Sequence, residues 1–289
     1  MVKINNIVDF KELYDFHFTF NSSYMYKTSL NDYISSLLYD VDRENNTLFK
    51  QNNLLGAFID NKLVGFIQYG ISAIGFDENG NITNDINYQI IRQLYFLDVK
   101  VGEKLLDIAL NSFDKSKRIY AFFHYFGMSC FSSHGKLDNK NINIEKLLLD
   151  NKFEIEHENI YYSLKLSDDN TSNITLKLSD INSANKQNII FLDNDNQIGE
   201  CELHFVNKDL TYLRWIYINN EMQHKGYGSK CINKLKSYLF NKGFKLLDTD
   251  TAIDNIVAQN FYIKNGFINK AITKSYLLNN KKVKSWMLN

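Results

Sequence analysis

A short hairpin pattern that occurs twice constrains this chain more than any other feature. Leu54-Leu55-Gly56-Ala57-Phe58-Ile59 and Leu63-Val64-Gly65-Phe66-Ile67 are apolar runs around a polar Asp60-Asn61-Lys62 turn, which reads as a β-hairpin. Ile189-Ile190-Phe191-Leu192 and Gln197-Ile198-Gly199-Glu200 repeat it around Asp193-Asn194-Asp195-Asn196, with Gly65 and Gly199 in equivalent places. A second echo follows each hairpin. Leu147-Leu148-Leu149-Asp150-Asn151-Lys152-Phe153 matches Phe261-Tyr262-Ile263-Lys264-Asn265-Gly266-Phe267, each closing a helix-like stretch before a strand pair, Phe153–Leu166 or Phe267–Leu288. Two echoes in the same order, this far apart, indicate a duplicated domain and not a solenoid. With 289 residues the chain has room for two domains.

The polar run Ser167-Asp168-Asp169-Asn170-Thr171-Ser172-Asn173 has no apolar periodicity and reads as the linker, giving domains 1–166 and 173–289. The halves are unequal. Before its hairpin the first carries a helix-like pattern including Phe10, Leu13, Tyr14, Ile34, Leu37 and Leu38; the second has only Ile174–Lys186. The second domain is therefore expected to lack front helices, and the first to supply part of its acceptor site.

Charge excludes some partners. The 33 basic and 33 acidic residues balance, so there is no electrostatic footprint for nucleic acid or anionic lipid. Cys130, Cys201 and Cys231 are far apart, and the amino terminus lacks an apolar signal core. Both point to a reducing, cytoplasmic setting without a membrane span. His17, His124, His134 and His157 form no spaced cluster, so no metal ligand set is expected. His17, among Phe16, Phe18 and Phe20, suits an aromatic acceptor pocket and a packed helix face equally well.

The chemistry concentrates in Leu210–Ser229. A β-type run ending Ile216-Tyr217-Ile218 meets a polar loop, Gln223-His224-Lys225-Gly226-Tyr227-Gly228-Ser229, which opens a helix with Cys231, Ile232, Leu235, Tyr238 and Leu239 on one face and stops at Gly243. A strand, a glycine turn and a helix amino terminus form an anion site, because uncapped N–H groups and the helix dipole both favour negative charge. The spacing is neither a P-loop nor a dinucleotide fingerprint. Later, Asn255-Ile256-Val257-Ala258-Gln259-Asn260-Phe261-Tyr262 opens at an N-cap and runs to Gly266-Phe267.

The two segments, in this order, resemble the [QR]-x-x-G-x-[GA] and N-x-x-A-x-x-x-Y-x-x-x-G-F motifs of the GNAT acetyltransferases. The resemblance covers about 165–289. It implies α/β architecture: two GNAT-like domains, each a twisted, mixed, mostly antiparallel sheet flanked by helices. It also implies an acetyl-CoA site in which Gln223, His224, Lys225, Gly226, Tyr227, Gly228 and Ser229 hold the pyrophosphate. The pantetheine arm would pair with Ile216, Tyr217 and Ile218 and meet Asn255. Tyr262 would protonate the departing thiolate, and N–H groups at a strand bulge would steady the oxyanion. The implied activity is acetyl transfer to the amine of a small molecule or peptide, by direct attack in a ternary complex. The alternative is a non-catalytic acyl-CoA-binding or protein-interaction module on the same scaffold. The acceptor and the oligomeric state are left open.

The general base is open as well. Where some family members place a Glu, this chain has Tyr212; Glu200, Glu202 and His204 share one face of the preceding strand, the pattern of a solvated face as much as of a base. Glu221 reads as exposed. In the first half, Asp98-Val99-Lys100-Val101-Gly102 has one glycine in a loop three residues shorter, and Leu148 replaces Tyr262. That half reads as a relic domain without a cofactor site, or as an unrelated α/β domain if the hairpin echo is chance.

Overall fold

The computed structural model describes residues 1–41, 47–77, 81–131, 134–168 and 172–278. In chain order the first elements are β1 (Lys3–Asn6), α1 (Phe10–Phe18), α2 (Leu30–Tyr39), β2 (Phe49–Ile59), β3 (Lys62–Ser72), β4 (Gly75–Phe76), β5 (Ile82–Thr83) and β6 (Gln89–Phe96). Next come α3 (Val99–Ser112), β7 (Ile119–Ala121), β8 (Leu137–Asp138), α4 (Ile142–Asp150) and the long strand β9 (Glu154–Lys165). The remainder is β10 (Thr175–Leu178), β11 (Lys186–Asp193), β12 (Asn196–Phe205), β13 (Leu210–Ile218), α5 (Tyr227–Asn241), β14 (Leu246–Ala252), α6 (Ile256–Lys264) and β15 (Ile268–Leu278).

Two compact units form, and they do not follow the expected cut. Unit 1 is Met1–Glu158 with Thr273–Asn289, and unit 2 is Asn159–Ile272. The boundary read at 167–173, and with it the domains 1–166 and 173–289, is corrected. Phe153–Leu166 is not a strand pair but one strand, whose residues 159–165 pair antiparallel with β14 in unit 2. In return, β15 pairs with β7 and β8 through residues 273–278 in unit 1. The second strand expected before Leu288 lies outside the described residues. Nothing in Glu154–Lys165 breaks a strand, because the segment holds no Gly and the whole chain no Pro. Twelve residues at about 3.3 Å each span about 40 Å, roughly twice an ordinary strand.

Each unit contains the same arrangement. In unit 1 the pairing runs β1–β2–β3–β6–β7–β15, and in unit 2 β10–β11–β12–β13–β14–β9. Both hairpins close with two residues in left-handed backbone, Asp60–Asn61 and Asn194–Asp195, as type I′ turns require. Both then skip one residue, so that Ala57 pairs with Gly65 and Phe58 with Leu63, while Phe191 pairs with Gly199 and Leu192 with Gln197. A second bulge falls on the next strand. Gln68 pairs with Gln93 and Tyr69 with Ile91, leaving Arg92 over; Glu202 pairs with Trp215 and Leu203 with Leu213, leaving Arg214 over. Repeated pairings and repeated bulges establish the duplication.

The front helices differ as expected, since α1 and α2 have no counterpart between β10 and β11. In unit 1 they bury Leu13, Phe16, Tyr33 and Leu37. His17 is buried with them, between Phe66, Tyr95 and Phe131, with its Nδ1 3.0 Å from the Tyr33 hydroxyl. It packs the core of the unit. Burial pushes its imidazole down to about 3. The unfolded chain takes up this proton near pH 6.5 and the folded chain refuses it. Stability is therefore fully present above pH 6.5 and lost as pH falls towards 3. Between pH 7 and pH 5 this group alone makes unfolding easier by about 2 kcal/mol. In His17→Leu that slope should flatten, whatever the variant's own stability; an unchanged slope in denaturant melts would refute the assignment.

The core of unit 2 lies on the α5 side of its sheet. There Cys231, Ile232, Leu235 and Leu239 of α5 meet Cys201 and Leu203 of β12, Leu213 of β13, Leu247 of β14 and Tyr162 and Leu164 of β9. Burial raises the thiols of Cys201 and Cys231, so both stay protonated. No described helix is long and apolar enough to cross a membrane.

Candidate active site in unit 2

β13 and β14 run parallel, but only Leu210–Tyr212 pair with Leu246–Asp248. Beyond that point β13 keeps its partner β12 as far as Ile218, while among the described residues its other side has no strand pairing. Residues 213–218 thus border a cleft with one free backbone edge, and the bulge at Arg214 sits at its mouth. Ile216, Tyr217 and Ile218, the residues expected to pair with an extended ligand arm, lie on this edge.

At the far end of β13 the loop reaches α5. Gly226 is its N-cap with φ of 84°, and a Cβ placed there would meet nothing within 4 Å. Among the described residues no side chain caps the helix, so the N–H groups of Tyr227, Gly228 and Ser229 point outward without a partner. His224 is also left-handed, at φ of 58°, and Gln223, His224, Lys225 and Gly226 are exposed. Gln223 turns inward, donating through Nε2 to the Ile218 carbonyl at 2.8 Å and to Asn220 Oδ1 at 3.1 Å, which holds the loop shut on the strand. Tyr227 donates to Asp193 Oδ2 at 2.8 Å, tying the start of α5 to the β11–β12 turn. Gly228 has a different reason to be glycine: a Cβ would stand 2.8 Å from the Phe261 ring of α6. Glu221 is exposed, as read from the sequence.

Asn255 caps α6 by accepting from Ala258 N–H at 3.0 Å. Tyr262 lies in the last turn of α6 and is buried against Tyr162, Phe261 and Phe267. Its hydroxyl bonds to Thr249 of β14, whose Oγ1 donates to the Leu213 carbonyl across the parting strands at 2.9 Å. Burial pushes the phenol up to about 12, partly offset by Thr249, so Tyr262 holds its proton at neutral pH.

The opposite face of β14 carries a group that the sequence reading missed. Asp250 accepts from the Tyr212 hydroxyl and, through Oδ2, from Asn159 Nδ2 at 2.5 Å. Two residues earlier, buried Asp248 accepts from the Tyr161 hydroxyl at 2.7 Å. Tyr161 and Tyr212 stack with centroids 6.3 Å apart. Burial, then the Asp250 carboxylate, raises Tyr212 well above an ordinary phenol. Tyr212 therefore donates and does not ionise. The alternation Asp248-Thr249-Asp250-Thr251 was the available signal, since period two puts both carboxylates on one face.

The expectation of a solvated face at Glu200, Glu202 and His204 is corrected, because Glu202 and His204 are buried. Glu202 Oε1 lies 2.6 Å from Arg214 Nε, so the bulge cation neutralises it. Asp250 at the cleft is held by a phenol and an amide.

Unit 1 fills the equivalent positions differently. By register, Ile90 stands for Tyr212 and Phe122 for Asp250. Arg92 at the bulge is buried, and it donates to the carbonyls of Phe126 at 2.7 Å, Gly127 at 2.9 Å and Ser36 at 3.0 Å while pairing with Asp40. The segment after β7 is thereby fastened to the bulge. α3 starts three residues after Phe96 and α5 nine after Ile218, so from strand end to helix start the loop is six residues shorter. Its N-cap is Asp98, whose carboxylate accepts from Lys100 N–H at 2.8 Å and occupies the place an anion would take.

Two α/β units that share a hairpin, two bulges and a parallel strand pair define the GNAT fold in tandem, and unit 2 starts the following helix at a glycine. Residues 151–267 match the model of the Acetyltransferase (GNAT) family, so the chain contains a GNAT domain there. Among solved structures, a tandem GNAT protein from the clavulanic acid biosynthesis pathway aligns with 96% of this chain and 98% of its own, at 9% identity and a TM-score of 0.63. A GCN5-related N-acetyltransferase from Sphaerobacter thermophilus aligns over 96% and 95% at 6% identity, with a TM-score of 0.57. A GNAT-family acetyltransferase from Colwellia psychrerythraea covers 95% and 98% at 13% identity, with a TM-score of 0.52. At such identities the likeness is one of fold. No curated protein matches the sequence.

Proposed function

We propose that unit 2 transfers an acetyl group from acetyl-CoA to an amine, and that unit 1 has kept the fold without a cofactor site. The observation that carries this reading is the uncapped start of α5 at Gly226, set beside the Asp98-capped start of α3. Three outward N–H groups and a helix dipole suit a pyrophosphate, and a carboxylate cap repels one. The residues present fit acetyl-CoA: Gln223–Ser229 for the pyrophosphate, and Ile216, Tyr217 and Ile218 with Asn255 for the arm. Bound there, acetyl-CoA supplies an activated acyl group as a thioester.

The chain's own residues supply the proton chemistry. An amine reacts only when neutral, and Asp250 is the base positioned to accept its proton. Tyr212 and Asn159 hold that carboxylate through one oxygen each, which orients it. Tyr262, protonated and bonded to Thr249 beside the parting strands, is the acid for a departing thiolate. The acceptor is a small-molecule or peptide amine.

The test is acetyl-CoA titration by calorimetry, followed by an amine screen read as free thiol. Saturable binding and amine-dependent release support the reading. Binding without release from any amine favours the non-catalytic module, and absence of binding ends both. With the best amine, Tyr262→Phe is expected to lower kcat roughly 10–100-fold without changing acetyl-CoA affinity, at the low end of acid–base effects. Unchanged kcat would reduce Tyr262 to packing.

A further inference from the structure

The sequence spacing separates His124 from His157, but the fold brings them together. His124 opens a 3-10 turn, His124–Phe126, directly after β7, where Phe122 in left-handed backbone (φ 53°) turns the chain. His157 and Glu156 lie on the part of β9 that belongs to unit 1. The two imidazole rings meet edge to face with centroids 4.9 Å apart. Glu156 Oε1 is 3.9 Å from His157 Nε2, and both side chains are 19% exposed. One donor atom from each of the three residues lies within 4.8 Å of the other two. This corrects the expectation of no histidine cluster.

From this geometry we infer that His124, Glu156 and His157 form a zinc-binding site in unit 1. Two imidazoles and a carboxylate are a donor set that suits Zn²⁺, and three protein ligands leave one position for water at this partly exposed site. With metal–ligand bonds of about 2.0–2.2 Å, tetrahedral donors stand about 3.3 Å apart. Closing the present separations takes side-chain rotation on the order of an ångström, without moving β9. The second oxygen, Glu156 Oε2, is buried with no hydrogen-bond partner among the described residues, an arrangement that costs free energy unless a cation compensates it. Arg118 and Lys136 also act on this carboxylate, and a dication must compete with them. Micromolar affinity is therefore expected, well below that of a closed four-ligand site.

The experiment is Zn²⁺ titration of the full chain against a fluorescent chelator, repeated with Co²⁺ for its visible ligand-field bands. The expected result is one ion per chain, weakened in His124→Ala, His157→Ala and Glu156→Gln by at least the roughly 10–100-fold that loss of even an outer-shell partner costs. Should a variant fail to fold, the wild type still decides the matter, because among the histidines Co²⁺ must shift the ring proton resonances of His124 and His157 the most. No saturable binding would overturn the site. So would binding that survives the double variant His124→Ala/His157→Ala, which would assign the ion to other histidines such as exposed His224.

Discussion

Gly226→Glu is expected to abolish acetyl-CoA binding by unit 2 while leaving the fold in place. A Cβ at Gly226 points into open space, so nothing in the protein must move to receive the side chain. The backbone there is left-handed at φ of 84°, and any L-residue costs about 1–2 kcal/mol in that conformation. Gly226→Ala bears that same cost without charge and is the necessary control. The carboxylate adds repulsion against a pyrophosphate. Two charges about 4 Å apart interact by about 4 kcal/mol in partly screened surroundings, and exposure of the loop reduces this further. A loss of roughly 100-fold or more is expected in the Glu variant, and less than about tenfold in Ala. Calorimetry on both variants, with a melt of each, decides it. Equal affinity for wild type and Gly226→Glu would remove the anion site from this loop.

Asp250→Asn should leave acetyl-CoA binding intact and lower kcat by roughly 10²–10⁴-fold, the usual range for a general base. The substitution keeps shape and removes the acceptor of the amine's proton. Tyr212→Phe should cost less, because it removes one of the two groups that orient Asp250. Glu202→Gln provides the contrast. Its expected effect is on stability, since Arg214 at the bulge would lose its charged partner while staying largely buried. Steady-state rates across pH for the three variants separate the roles. If Asp250→Asn turns over like the wild type, the base is another group, and exchange at Glu200 is the next variant.

The elements that the sequence reading recovered are those whose signal is local. Asp60–Asn61 and Asn194–Asp195 announce two-residue turns, because short polar side chains tolerate the left-handed region that such turns demand. Gly226, Gly243 and Gly266 mark helix ends for the same reason, and all three have positive φ. Asn255 was legible as a cap and caps α6. Asp250 was not legible as a candidate base, because its meaning depends on Tyr212 and Asn159, which reach it from two other strands. Glu202 and Arg214 are twelve residues apart in a chain that bulges between them, and their ion pair depends on that bulge.

The sequence alone determined the duplication, the hairpins, the helix caps and the glycine loop, since each rests on backbone preferences of neighbouring residues. Tertiary structure decided which strands complete each unit. β9 and β15 both read as strands, but nothing in either states which sheet will take it, because pairing is set by long-range register and burial. Tertiary structure also brought His124 to His157 and Tyr212 to Asp250. Contacts between segments far apart in sequence arise only when the whole sheet closes, so the chemistry they permit has no local signature.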